Sequence, residues 1–129
     1  MRQIKFRAWD KKGKKMYEVA SLWGGGKEWE IEPQRYGAKI TSRLFDIELH
    51  PCELMQFTGL KDKNGKEIYE GDILRVESKN SNSGFILLSV KYDELSACFS
   101  NDGVGPFFLM DETKEVIGNI YENPELINK

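Results

Sequence analysis

The sequence predicts an all-β fold with short helices at most, on three observations. Short apolar–polar alternations recur along the 129 residues, and alternation is the strand period. Clusters of Gly, Asn, Asp and Pro separate them at regular spacing, as between the strands of a barrel or sandwich. No heptads, internal repeat or long helix with capping signals interrupts the pattern.

Ile4, Phe6 and Ala8 alternate with Lys5, Arg7 and Trp9 and form the first strand. Asp10-Lys11-Lys12-Gly13-Lys14-Lys15 turns the chain, with Gly13 expected at positive φ and the lysines discouraging edge pairing. Met16 to Leu22 returns as the second strand of this hairpin. Trp23-Gly24-Gly25-Gly26 then stops regular structure, because consecutive glycines lose too much backbone entropy inside a strand. The chain from there to Gly37 is mixed. Phe45, Ile47 and Leu49 alternate with Asp46 and Glu48, which predicts a strand over residues 44–49 that Pro51 ends.

Leu54 to Thr58 reads as a strand that Gly59 turns. Asn64-Gly65 predicts a hairpin, since both central positions of a type I′ turn need positive φ. Glu70-Gly71-Asp72 is a second tight turn and launches Ile73 to Val76. Ser78 to Gly84 is a polar loop. Phe85 to Val90 is apolar on both faces, so it is expected inside a sheet. Tyr92-Asp93-Glu94 turns the chain into a strand at Ala97-Cys98-Phe99, and Asn101-Asp102-Gly103 turns it again. Phe107 to Met110 adds an apolar strand segment. Glu115 to Tyr121 is the last strand, and Gly118 inside it marks a bulge or a close backbone approach. Asn123-Pro124-Glu125 places an N-cap residue before a first-turn proline and predicts one short helical turn.

A chain of this length is one domain that needs no disulfide framework. Cys52 and Cys98 show no metal-ligand spacing and read as free thiols in a reducing compartment. No apolar run of signal-peptide or membrane-spanning length is present, so a cytoplasmic protein is expected. The net charge of −2 gives no global attraction to nucleic acid. Its distribution is uneven. Residues 1–20 hold seven basic side chains against two acidic ones, a net +5, and residues 111–129 hold two against five, a net −3. Such ends suit head-to-tail association of copies, although solvated turns and tails have the same composition.

Three blocks together resemble the YopX family of phage and prophage proteins. They are Ile4-Lys5-Phe6-Arg7-Ala8-Trp9-Asp10 with Lys14-Lys15-Met16, then Met55-Gln56-Phe57-Thr58-Gly59-Leu60-Lys61-Asp62 through Ile68-Tyr69-Glu70-Gly71-Asp72-Ile73, then Glu115-Val116-Ile117-Gly118-Asn119-Ile120-Tyr121-Glu122-Asn123-Pro124-Glu125-Leu126. The resemblance implies a mostly β fold in one YopX-like domain, with an N-terminal hairpin and variable segment over residues 1–50. Residues 51–129 would form a small Src-homology-type β-barrel. It also implies an oligomer. It implies no activity, because the family has no established one. Gly59, Gly65, Gly71 and Gly118 carry over as backbone-permissive positions, and Trp9, Phe57, Tyr69 and Tyr121 as core.

Chemistry is sparse. His50 is the one histidine, and a histidine at a strand end is usually a packing residue. Glu67, Glu70 and Asp72 crowd the central turns. Paired carboxylates serve acid–base or cation chemistry, but Asp72 after Gly71 equally suits hydrogen bonding to turn amides, and Glu67 suits pairing with Lys66 or Lys61. No serine or cysteine stands in a nucleophile elbow, and no glycine-rich loop precedes a helix. No catalytic residue, metal site or cofactor is therefore expected. The turn residues Gly59, Asn64, Gly65, Gly71, Asp72 and Gly118 are read as structural. The sequence is best read as a non-enzymatic, self-assembling interaction module, a homo-oligomer with a host or phage protein as a further partner. Trp9, Trp23, Trp29, Phe107 and Phe108 supply aromatic surface for an interface or for the core. The alternative is a nucleic-acid-binding barrel using Lys11, Lys12, Lys14 and Lys15 beside Trp9 and Tyr17. A small metal-dependent hydrolase or nuclease is the third reading.

Overall fold

Alternation in residues 4–10 is realised as β1, Phe6–Asp10, in a computed structural model that describes residues 3–11, 13–24, 29–35, 38–39, 52–101 and 107–127. The fold is all-β, with two 3₁₀ turns as the helical pieces among the described residues. The chain divides into two compact units, Ile4–Gln56 and Phe57–Lys129 together with Met1–Gln3.

In the first unit β1 is a central strand. It pairs antiparallel with β2, Lys15–Gly24, on one side and with the first half of β5, Cys52–Lys61, on the other. Ala8 lies between Tyr17 and Leu54 in this register and is fully buried. The hairpin tip departs from expectation at one residue. Lys14, not Gly13, takes the positive φ, at 53°, and its N–H donates to the Asp10 carbonyl at 2.7 Å. At Gly13 a Cβ would stand 2.7 Å from Asp10 Oδ2, so a side chain there would require the Asp10 carboxylate to shift.

β2 also continues through Trp23 to Gly24, beyond the expected stop, because β3, Trp29–Arg35, pairs with it to the end. Pro33 sits in β3 where the register shifts, between the pairs of Val19 and Ser21, a position at which a missing N–H is tolerated. The two-residue β4, Ala38–Lys39, follows. The expected strand over 44–49, with His50 and Pro51, lies outside the described residues, as does Lys12.

The second unit begins with the second half of β5. Gly59 does not turn the chain. β5 runs unbroken to Lys61, and Gly59, at φ 88°, lies in a bulge between the pairs Phe57↔Tyr69 and Lys61↔Glu67 with β6, Glu67–Tyr69. A second sheet has the order β10-β7-β8-β9. Its strands are β7, Asp72–Glu77, β8, Phe85–Asp93, β9, Cys98–Asn101, and β10, Glu115–Asn119. β8 lies inside it, as its apolar character on both faces predicts. The polar loop before β8 is closed by the Ser78 N–H donating to the Gly84 carbonyl at 3.0 Å.

Cross-strand alternation puts Leu74, Val76, Ile86, Val90, Phe99 and Val116 on one face, where they pack with Ile68, Phe108 and Leu109. Ile68, Leu74 and Val76 are fully buried, and each such side chain is worth about 2–3 kcal/mol of transfer free energy. Phe107–Leu109 is a 3₁₀ turn and not the expected strand. Four apolar residues in a row have no polar face to present. The turn instead sends Phe108 and Leu109 inward and leaves Met110 exposed. Of the aromatics expected in the core, Phe57 and Tyr69 are buried with ring centroids 5.4 Å apart, while Trp9 and Tyr121 are half-buried.

The expected strand at Ala97 begins one residue later, because Ala97 is in the turn after β8 with φ 52°. L-residues are strained there. Ala97→Gly is therefore expected to stabilise the protein by about 0.5 kcal/mol, the relief of strain exceeding the added unfolded-state entropy. A rise in the urea midpoint at unchanged slope checks this.

Candidate functional site

The residues that stand out in the sequence converge on strand ties. The turn between β5 and β6 spans Asp62 to Lys66. The Gly65 N–H donates to the Asp62 carbonyl at 3.0 Å, and the Asp62 N–H donates to the Lys66 carbonyl at 2.8 Å. Gly65 has φ 83°, whereas Asn64 is not at positive φ. The turn is thus a type I turn completed by a left-handed glycine, not the type I′ pair that Asn64-Gly65 predicts; Asn-Gly suits both.

Asp62 organises this turn. Its Oδ1 accepts the Asn64 and Lys66 N–H groups, each at 2.9 Å, and its Oδ2 accepts the N–H of Val116 in β10 at 2.9 Å. Next to it, the Lys63 N–H donates to the Lys114 carbonyl at 3.0 Å, and Lys63 Nζ pairs with Glu115 at 2.8 Å. Burial pushes the Asp62 carboxyl up, but the amides of Val116, Lys66 and Asn64 and the Lys66 charge outweigh it. The net shift is below the ordinary aspartate value.

Asp72 is buried with its Oδ2 accepting the Tyr69 N–H at 2.8 Å, a turn-amide bond of the kind its position after Gly71 suggests. Gly71, at φ 84°, donates its N–H to the Val90 carbonyl at 2.8 Å and accepts from the Ile120 N–H at 2.9 Å. Gly118 lies where β10 shifts register against β7, between the pairs of Val116 and Gly118. A Cβ there would stand 2.5 Å from Asn123 Oδ1. Asn123 does not cap the following 3₁₀ turn, Pro124–Leu126, with its side chain. Its Oδ1 reaches back to the Asn119 N–H at 3.3 Å, while Asn119 Oδ1 accepts from Tyr121 and Glu122. Asp62, Asn119 and Asn123 were not singled out by sequence reasoning as ties. Asn119 alone carried a local signal, its amide side chain standing next to Gly118.

Glu67 and Glu70 are half-buried near this turn. Among the described residues no three His, Cys, Asp or Glu side chains are placed to hold a metal ion. Cys98 is a free, half-buried thiol.

Two surface features stand apart from the ties. At the β1–β2 tip, Lys11, Lys14 and Lys15 are exposed. Lys11 Nζ pairs with Glu53 at 2.6 Å, and Lys15 stands opposite Asp10. At the β8–β9 turn, Leu95 is 100% exposed and Tyr92 is 48% exposed, its ring edge-on to Phe99 at 5.4 Å. Asp93 and Glu94 lie between them in sequence. The Ser96 hydroxyl, with backbone amides, holds the Asp93 carboxyl below its ordinary value, so this turn carries negative charge. Among the described residues no helix is long and apolar enough to cross a membrane.

The family model described as YopX protein matches residues 5–128. The crystal structure of protein EF1440 from Enterococcus faecalis is similar at 31% identity and a TM-score of 0.63, with 99% of this chain and 100% of that one covered. The crystal structure of protein yopX from Bacillus subtilis is similar in fold at 23% identity and a TM-score of 0.54, with 100% and 98% covered. No functionally curated protein matches.

Proposed function

We propose a function from one premise: this chain belongs to the YopX protein family. It acts as a non-enzymatic accessory protein of a phage or prophage, in the host cytoplasm, and it works by assembling with copies of itself and with a protein partner. The observation that carries this reading is the β8–β9 turn, where Leu95 is fully exposed and Tyr92, at the end of β8, is half-exposed. The exposed leucine, with half-exposed Tyr92 three positions before it and charge between them, offers apolar area that a partner would bury. The flanking charge is acidic, and the exposed tip of the β1–β2 hairpin is basic, so the two tips are complementary between copies. The motif carboxylates support the same reading, since Asp62 and Asp72 accept backbone amides.

Leu95→Glu tests this. The parent chain is expected to associate with rising concentration, and the variant to do so at least tenfold more weakly at unchanged stability, read by light scattering on a sizing column. A parent that stays monomeric removes the reading.

A second reading, nucleic-acid binding by the basic tip, is favoured by the exposure of Lys11, Lys14 and Lys15, with half-buried Trp9 and Tyr17 on opposite faces of the adjoining strands. On that reading, Lys14→Glu with Lys15→Glu abolishes binding to single-stranded DNA and leaves no salt dependence to measure. On the assembly reading the parent shows no binding to lose, and the double variant weakens self-association.

A further inference from the structure

β10 borders its sheet, with β7 on one side. Alternate residues of an antiparallel strand direct their N–H and C=O groups to opposite sides. Lys114 and Val116, two residues apart, therefore aim the Lys114 carbonyl and the Val116 N–H the same way. Both are occupied by the β5–β6 turn. Val116 donates to Asp62 Oδ2 at 2.9 Å, and Lys114 accepts from the Lys63 N–H at 3.0 Å. A carboxylate and a turn amide stand where the rung of a neighbouring strand would stand.

The strand so covered is a poor one to leave open. Glu115-Val116-Ile117 holds two β-branched apolar residues and one charge, with no proline. Exposed edges of this composition recruit further strands, and native proteins block them with charge or cover them with a loop. Here both devices act on one rung, and the Lys63–Glu115 ion pair at 2.8 Å adds charge beside it.

We infer that the Asp62–Lys63 turn is an edge guard, which keeps β10 from pairing strand to strand with a second copy of this chain. The guard is a conformational device of the fold. It is independent of the assembly surface at Leu95, which involves a different turn.

The test compares the parent, Lys63→Pro and Asp62→Ala as full chains, each carrying Leu95→Glu so that association through that surface is absent. Lys63 occupies the second position of its turn, where proline is favoured, so Lys63→Pro removes the donor to Lys114 without opposing the turn. Asp62→Ala removes the acceptor of the Val116 N–H. Light scattering across a concentration series is the measurement. Both variants are expected to gain a species of at least twice the parent's mass, rising with concentration, and in Asp62→Ala, which has lost the carboxylate on Val116, the Val116 amide is expected to be protected from exchange in that species. Asp62→Ala bears on stability as well, so Lys63→Pro decides the matter where Asp62→Ala does not fold. An unchanged mass in the folded variants overturns the inference.

Discussion

Asp62→Ala is expected to lower the unfolding free energy by about 2–4 kcal/mol at neutral pH. The carboxylate accepts three backbone N–H groups, and Val116 lies 54 residues away in sequence. Asn64 and Lys66 are exposed and their amides regain water in the variant. The Val116 amide is part-buried and recovers less, so the loss goes beyond that of a surface turn. Asp62→Asn keeps one acceptor oxygen and is expected to lose about half as much.

The effect has a fixed pH sign. The Asp62 carboxyl is lowered in the folded protein, so the unfolded chain takes up its proton first on acidification. The contribution of Asp62 is complete above the unfolded value. It falls away as pH drops through the folded one. The stability difference between the parent and Asp62→Ala is therefore constant near neutrality and shrinks below about pH 4. Urea unfolding of both proteins across that range measures it. Asp111 is lowered too, by the Thr113 hydroxyl and then its amide, but it is common to both proteins and cancels in the difference.

Gly71→Ala is expected to cost about 2 kcal/mol. Gly71 holds φ 84° while its N–H and C=O are both engaged, by Val90 and Ile120. The backbone cannot rotate toward negative φ to accommodate a Cβ without breaking one of those ties. A downward shift of the urea midpoint at unchanged slope is the predicted result. A silent substitution would mean that the turn relaxes.

Local chemistry made most strands legible, because alternation is a short-range signal. The errors have physical causes. Gly59 and Gly65 both need positive φ, which the sequence conveys. It does not convey whether the strand ends there, and at Gly59 it continues through a bulge. At the first hairpin, Gly13 drew the expectation of positive φ, yet it lies close to the Asp10 carboxylate without that conformation while Lys14 bears the strain. Phe107 to Met110 is too short for periodicity to separate a strand from a 3₁₀ turn. Asp62 was invisible as a tie because its third amide comes from β10, and no local pattern records a partner so distant. Leu95 was equally silent, since exposure depends on where the β8–β9 turn points and not on composition. The family motifs, by contrast, resolve into backbone geometry. Gly71 and Gly118 mark special backbone and close approach, and Asp72 and Asn119 accept turn amides.

The measurement that tests self-assembly most directly is the solution mass of the parent chain and of Leu95→Glu by light scattering over a wide concentration range. The parent mass is expected to rise above the 14.9 kDa of one chain, while the variant stays near that value through most of the range. A parent that stays at 14.9 kDa throughout, or a variant that associates as the parent does, would contradict self-assembly through Leu95.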